Sequence, residues 1–319
     1  MAPEAHKGRG HKGWQPVEGL ARAELEVGRL RRSYWLAPGP RPAAPLILVA
    51  HGLGADGKAM AALTGLAQRG PAAGFAVAFP DAVSQVWDTS REHPGREDVD
   101  DAGFVSSLID KMVDNGTARP GPLFLVGMSN GALFVEHLAR RGLVAPTGLV
   151  LVSGTALVTS RQEVPRPRLP CTVLSVQGTA DPVMPYEGGS IGGRGVLGRL
   201  QARLARRRGE PPEDRFLAPA EAVAADWAAA NGNMAEPSFE SFPTSERGLH
   251  LARLSWSAPG QRPVVLYRVE GGGHTWPGGP QYLPARFVGR VSHDFDATGA
   301  VLEMARQETE RLGRPGTGW

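Results

Sequence analysis

Leu123-Phe-Leu-Val-Gly127-Met-Ser129-Asn-Gly131-Ala-Leu-Phe-Val-Glu-His-Leu-Ala139 decides how the rest of the chain is read. It opens as a bare apolar run, passes through Gly-Met-Ser-Asn-Gly, and continues as an amphipathic helix ending in Arg140 and Arg141. A strand feeding a helix through so sharp a turn needs small residues two positions either side of the serine, because bulk there would clash. Such a turn lifts the Ser129 hydroxyl above the carboxyl edge of a sheet. An apolar strand before the pentapeptide and a helix after it separate it from an ordinary Gly-rich turn.

Working outward, other bare apolar runs repeat at intervals: 46–50, 75–79, 148–154, 171–178 and 263–271. Short apolar runs bounded by Pro and Gly suit strands buried on both faces. Between them lie helical patterns at 57–69, 98–115, 131–142, 219–232 and 296–313. The segment 98–115 begins in acids, which suit a helix N-terminus, and carries Phe104, Leu108, Ile109 and Met112 on one stripe. Residues 24–36 are loosely strand-like. Alternating strands and helices from residue 46 onward predict an α/β fold with a mostly parallel sheet covered on both faces. No internal repeat or long polar linker divides the chain. It therefore reads as a flexible tail, 1–20, and one domain, 21–319, with a small cap-like insertion at about 188–218.

Composition excludes several classes. Of 319 residues, 41% are apolar and the net charge is only +3, so the chain is not globally disordered. Its 42 Gly and 28 Pro follow no collagen-like period and point to many turns. A lone cysteine, Cys171, rules out an intrachain disulfide and a Cys-rich zinc site; it sits in a strand-like run and reads as core. No metal-binding motif appears, and no cofactor is expected. No apolar run approaches the ~20 residues of a membrane span. The N-terminus carries positive charge without an apolar stretch behind it and does not read as a signal peptide.

A serine hydroxyl needs a base. In folds built on this turn the chain order is Ser, then Asp or Glu, then His. Four histidines follow Ser129: His137, His250, His274 and His293. His137 lies mid-helix, His250 in a polar stretch, and His293 just before the last helix. His274, in Gly-Gly-Gly-His-Thr-Trp after a strand, is the preferred base. Asp181, past the strand at 171–178 and fixed by Pro182, is the preferred acid that would orient the imidazole. The backbone N–H of Asn130 and one from the early loop His51-Gly52-Leu53-Gly54 would form the oxyanion hole, with Leu53 the first choice. His51 precedes the serine and reads as structural. Trp87, Trp276 and Tyr186 are candidate pocket walls, with core packing the competing reading.

Six stretches carry a family resemblance: VAHGLGADG (49–57), DVDDAGFVSSLID (98–110), GMSNGA (127–132), GTADPVMPYEGGS (178–190), VEGGGHTWPGG (269–279) and GRVSHDFDAT (289–298). Together they resemble the polyhydroxybutyrate-depolymerase-like esterases, α/β-hydrolases related to feruloyl and acetylxylan esterases. The resemblance runs from about residue 28 to 312. It implies a Ser129–Asp181–His274 triad cleaving carboxylic esters of small molecules or polyester chain ends, and a secreted or periplasmic setting. Relatives often carry Cys where Leu53 and Asn233 stand here, so the structural disulfide they can form is absent. A separate polymer-binding domain has no room. A peptidase or acyltransferase could use the same triad, and a non-catalytic binding module could keep the fold.

Residues 194–208 hold six Arg and no acid. The segment 194–209 is read as a cap helix beside the site in preference to a nucleic-acid or membrane-binding helix. Neither nucleic acid nor membrane is expected as a partner.

Overall fold

Strand after strand in the middle of this chain is a mostly apolar run, with none of the alternation that a half-solvated sheet requires. The computed structural model describes residues 17–89, 98–159, 164–191, 215–246 and 248–313. The expected cap helix at 194–209 and residues 1–16 of the expected tail lie outside them.

The main sheet has ten strands. In chain order these are β1 (Ala21–Val27), β2 (Leu30–Ala37), β3 (Ala44–Ala50), β4 (Ala76–Pro80), β5 (Ala118–Met128), β6 (Gly148–Val152), β8 (Thr172–Gly178), β11 (Ser238–Phe242), β12 (Leu251–Trp256) and β13 (Val264–Val269). Across the sheet they run β1-β2-β4-β3-β5-β6-β8-β13-β12-β11. Neighbours from β4 through β13 pair parallel. Both margins are antiparallel: β1 and β2 on one side, β12 and β11 on the other. Strands β4, β6 and β8 are buried at every residue. A second, three-stranded sheet joins β7 (Leu157–Thr159), β10 (Arg215–Leu217) and β9 (Gly189–Ser190).

Helices cover both faces. On one face α3 (Asp101–Asp114), α4 (Asn130–Arg140) and α5 (Ala220–Ala230) contribute Phe104, Leu108, Phe134, Leu138, Val223 and Trp227 to one core cluster. On the other, α1 (Gly57–Thr64), α2 (Leu66–Ala72) and α7 (Ala297–Leu312) supply Met60, Leu66, Val301 and Met304 to a second. A short helix, α6 (Ala285–Val288), precedes α7. Each large side chain buried this way stabilises the fold by about 1.5–3 kcal/mol. Acidic caps set three helix starts: Asp56, Asp100 and Asp296 each accept a backbone N–H of their first turn.

The structure sharpens the sequence reading in three places. The helix expected at 57–69 is two helices, split at Gly65, whose φ of 64° is left-handed. Residues 24–36 belong to a two-stranded hairpin. Strands β11 and β12 have no counterpart in the sequence reading: Ser238–Phe242 is exposed along nearly its whole length and carries no buried-face pattern, whereas Leu251–Trp256 is mostly buried.

Candidate active site

The parallel strands all end on one edge, and Ser129 directly follows β5 there. This residue has φ 58° and ψ −125°, which costs a non-glycine residue on the order of 1–3 kcal/mol. The strain is held from both sides: the Ser129 N–H donates to Val152 O at 3.0 Å, and its carbonyl accepts from Leu133 N at 3.1 Å. The flanking glycines are required by space. A Cβ on Gly127 would lie 2.6 Å from Ala132 N, and one on Gly131 would lie 2.6 Å from His51 O. Gly52 passes close over the serine; a Cβ there would sit 3.3 Å from Ser129 Cβ and 3.8 Å from its Oγ.

Two strands across, Asp181 follows β8, and three across, His274 follows β13. His274 Nδ1 lies 2.8 Å from Asp181 Oδ2, with both side chains buried. The carboxylate is anchored by its other oxygen, which accepts from Val183 N at 2.7 Å and Met184 N at 2.8 Å. With Nδ1–H donating to the carboxylate, Nε2 is left to face a substrate or a hydroxyl. The His274 main chain is pinned as well: its N–H donates to Val288 O at 2.5 Å, and Tyr282 Oη donates to its carbonyl at 2.9 Å. Burial, with Asp181 nearby, pushes the Tyr282 phenol well above its ordinary range, so it stays a donor. The other histidines stand elsewhere. His250 lies between the hydroxyls of Ser241 and Thr244, His293 is exposed, and His137 is half-buried on α4.

Above the elbow runs His51-Gly52-Leu53. Among the described residues the Leu53 N–H has no hydrogen-bond acceptor, while its side chain is 56% exposed. Asn130 opens α4, whose first turn receives no side-chain cap. N–H groups in a first turn have no intrahelical partner and suit a negative charge. His51 is fully buried. Its Nδ1 lies 2.8 Å from Gly52 O, and its Nε2 accepts from Ala82 N at 3.0 Å. Burial lowers its pKa, against the pull of the Gly52 hydrogen bond and of Asp81, Asp56 and Asp101. Both ring nitrogens are occupied, so it shapes the loop.

The three candidate wall residues are packed inward. Trp87 and Trp276 are both 0% exposed. The Trp276 indole donates to Thr298 Oγ1 at 2.9 Å and so ties the His274 loop to α7. Tyr186 is buried, with its hydroxyl donating to Glu221 at 2.7 Å. None can wall an open cleft as placed, because each turns its polar atom to a protein partner. Reasoning from sequence also missed Tyr282, which lies in an irregular segment with no pattern to mark it, and the buried Arg32–Asp101 ion pair at 2.6 Å. Cys171 is buried, and burial pushes its thiol far above its ordinary range. Among the described residues there is no group of three or more His, Cys, Asp or Glu that could hold a metal ion, and no helix long and apolar enough to cross a membrane.

Over 292 residues the chain is 33% identical to the "Putative esterase NocK" of Nocardia uniformis subsp. tsuyamanensis, covering 88% of this chain and 81% of that protein. The chain belongs to this family of esterases. Among solved structures, the acetyl xylan esterase from Aspergillus awamori superposes with a TM-score of 0.53 over 88% of this chain and 99% of that one. Identity between the two is 12%, so this likeness concerns the fold, which in this esterase is that of the α/β-hydrolases. No family model matches the chain.

Proposed function

We propose that the chain is a serine-dependent carboxylic ester hydrolase working through an acyl-enzyme. The observation that carries this reading is the strained Ser129 at the end of β5, on the same sheet edge as a buried His274–Asp181 pair. Ser129 Oγ attacks the ester carbonyl carbon while His274 Nε2 takes its proton. The tetrahedral oxyanion accepts the N–H groups of Leu53 and Asn130. The carbon–oxygen bond to the alcohol breaks, and His274 returns the proton to the departing alkoxide. Water, deprotonated by the same imidazole, then releases the acid and restores the serine. Asp181 holds the Nδ1–H tautomer and stabilises the imidazolium at each step.

The substrates proposed are polyhydroxyalkanoate-type oligoesters or other short-chain and aromatic esters, with feruloyl and acetylxylan esters as the alternative. The six stretches that resemble the polyhydroxybutyrate-depolymerase-like family support the first group. A panel of hydroxybutyrate oligomers, feruloyl esters, acetylxylan and short acyl nitrophenyl esters separates them by kcat/KM. A fluorophosphonate probe should label the protein at Ser129, and Ser129→Ala should abolish both labelling and turnover in a folded protein. Undiminished turnover in that variant would reject the mechanism.

A further inference from the structure

We propose that Trp87 is a positioning residue that locks the two N–H donors of the oxyanion site into one rigid unit. This rests on the reading of Ser129 as the nucleophile. Trp87 lies in the segment after β4 and touches both donor-bearing segments through polar atoms. Its backbone N–H donates to Asn130 Oδ1 at 2.7 Å, and its carbonyl accepts from Asn130 Nδ2 at 3.4 Å. Its indole N–H donates to His51 O at 2.9 Å, at the start of the loop that carries Leu53. Its ring stacks on Phe134 of α4, with centroids 4.6 Å apart and planes within 8°. It also lies 5.1 Å from the His51 ring.

Trp87 therefore bridges the two segments: its main chain holds the Asn130 side chain, while its indole holds the His51 carbonyl and stacks on α4 at Phe134. A second layer stands behind it. Asp88 N donates to Asp101 Oδ2 at 2.8 Å, while Asp101 Oδ1 pairs with Arg32 at 2.6 Å. Gly54 N donates to Gln85 O at 2.9 Å, so the oxyanion loop is tied to the same segment at a further point.

The physical reason for such a bridge is preorganisation. Oxyanion donors help only when they already point at the place where charge develops, because turning them there during reaction would cost what they supply. The donors here come from segments far apart in sequence, and the β3–β5 ladder, which pairs Ala50 with Gly127, stops short of both Leu53 and Asn130. Trp87 supplies that link. Phenylalanine could keep the stack on Phe134 but would leave the His51 carbonyl without the indole donor.

Trp87→Phe in the full chain tests this. The expected result is a fall in kcat of about tenfold, smaller than outright loss of a donor, with KM little changed. The Ki of phenylboronic acid, whose tetrahedral adduct on Ser129 uses the same donors, should rise by a similar factor. Trp227→Phe is the matched control. That indole is also fully buried and donates to Glu136, on the helix flank away from the elbow. It should lower the melting temperature and leave kcat and the boronate Ki unchanged. If Trp87→Phe lowers only the melting temperature, or if Trp227→Phe depresses kcat and boronate affinity equally, the proposal is overturned. If Trp87→Phe does not fold, Asn130→Ala cuts the other half of the bridge while keeping the backbone donor. An unchanged kcat and boronate Ki there would equally overturn it. Ser129→Ala is run alongside: residual turnover in that variant defeats the nucleophile reading. An inactive Ser129→Ala with a fully active Trp87→Phe defeats only the role of Trp87.

Discussion

The acid–base side and the oxyanion side of the site are built by different means. On the acid–base side the direct anchors of each residue are local, although the Asp181–His274 hydrogen bond that joins them spans 93 residues. Asp181 is anchored by N–H groups two and three residues on, and His274 by a hydroxyl eight residues away. On the oxyanion side they are long-range: His51 to Ala82 at a separation of 31, His51 to Trp87 at 36, Trp87 to Asn130 at 43 and Arg32 to Asp101 at 69. Local supports travel with a short stretch of sequence and form whenever the strand above them forms. Long-range supports exist only once the whole sheet has assembled. The two sides should therefore respond differently to damage. A substitution on the first should harm chemistry alone, and one on the second should couple chemistry to stability.

Asp181→Asn makes the largest break. An amide can hold the wrong imidazole tautomer, and in serine proteases the equivalent change lowers kcat by about 10⁴-fold. The retained Oδ1 can still accept from Val183 and Met184, so the melting temperature should move little. Steady-state kinetics and a thermal melt on one preparation check both. A large loss of stability would erase the contrast between the sides.

This difference also explains what could be read from the chain. The elbow, the base and the acid each lie directly after an apolar strand, and each is flagged by small or turn-forming neighbours. The backing of the oxyanion side leaves no such trace. Asp101 stands in an acidic run that suits a helix start, yet Asp100 is the cap and Asp101 turns inward to Arg32. Trp276, two residues from the proposed base, suggested a pocket wall, but a loop residue so close can point the opposite way. The edge strand at 238–242 carries no sequence pattern because only Phe242 packs against the core while Phe239 stays exposed. The break at Gly65 was overlooked because apolar periodicity continues across it.

A sharper comparison uses two buried ion pairs. Arg32–Asp101 backs the oxyanion side, whereas Arg262–Glu308, at 3.0 Å, lies toward the amino-terminal end of β13, away from the catalytic edge. Removing one partner of such a pair leaves a buried charge and costs about 3–5 kcal/mol. Arg32→Met should therefore lose about that much in urea denaturation, and Arg262→Met less, because Glu308 keeps Arg311 at 3.7 Å. Only Arg32→Met should also lower kcat, because Asp101 would then hold Asp88, and through it Trp87, less firmly. Equal kinetic effects from the two would dissolve the distinction between the support of the oxyanion side and general core stability.

The smallest expected effect concerns acid stability and His51. The imidazole is buried neutral, with Nε2 accepting the Ala82 N–H. Protonation would set a second N–H against that donor, in a place where burial already penalises charge. Its folded-state pKa therefore lies below its ordinary value of 6.5. In the interval between the two values the unfolded chain binds the proton and the folded chain does not. The contribution of neutral His51 is thus complete above 6.5 and is lost as the pH falls toward the folded-state value. One proton can add at most about 1.4 kcal/mol per pH unit to the slope of stability against pH. His51→Gln stays neutral throughout and can still offer an acceptor. Between pH 7 and about 5 the wild type should lose stability more steeply than this variant, as measured by urea denaturation at each pH. The difference isolates His51, because every other residue is common to the two proteins. Parallel slopes would mean that the oxyanion loop gains nothing from a neutral imidazole beneath it.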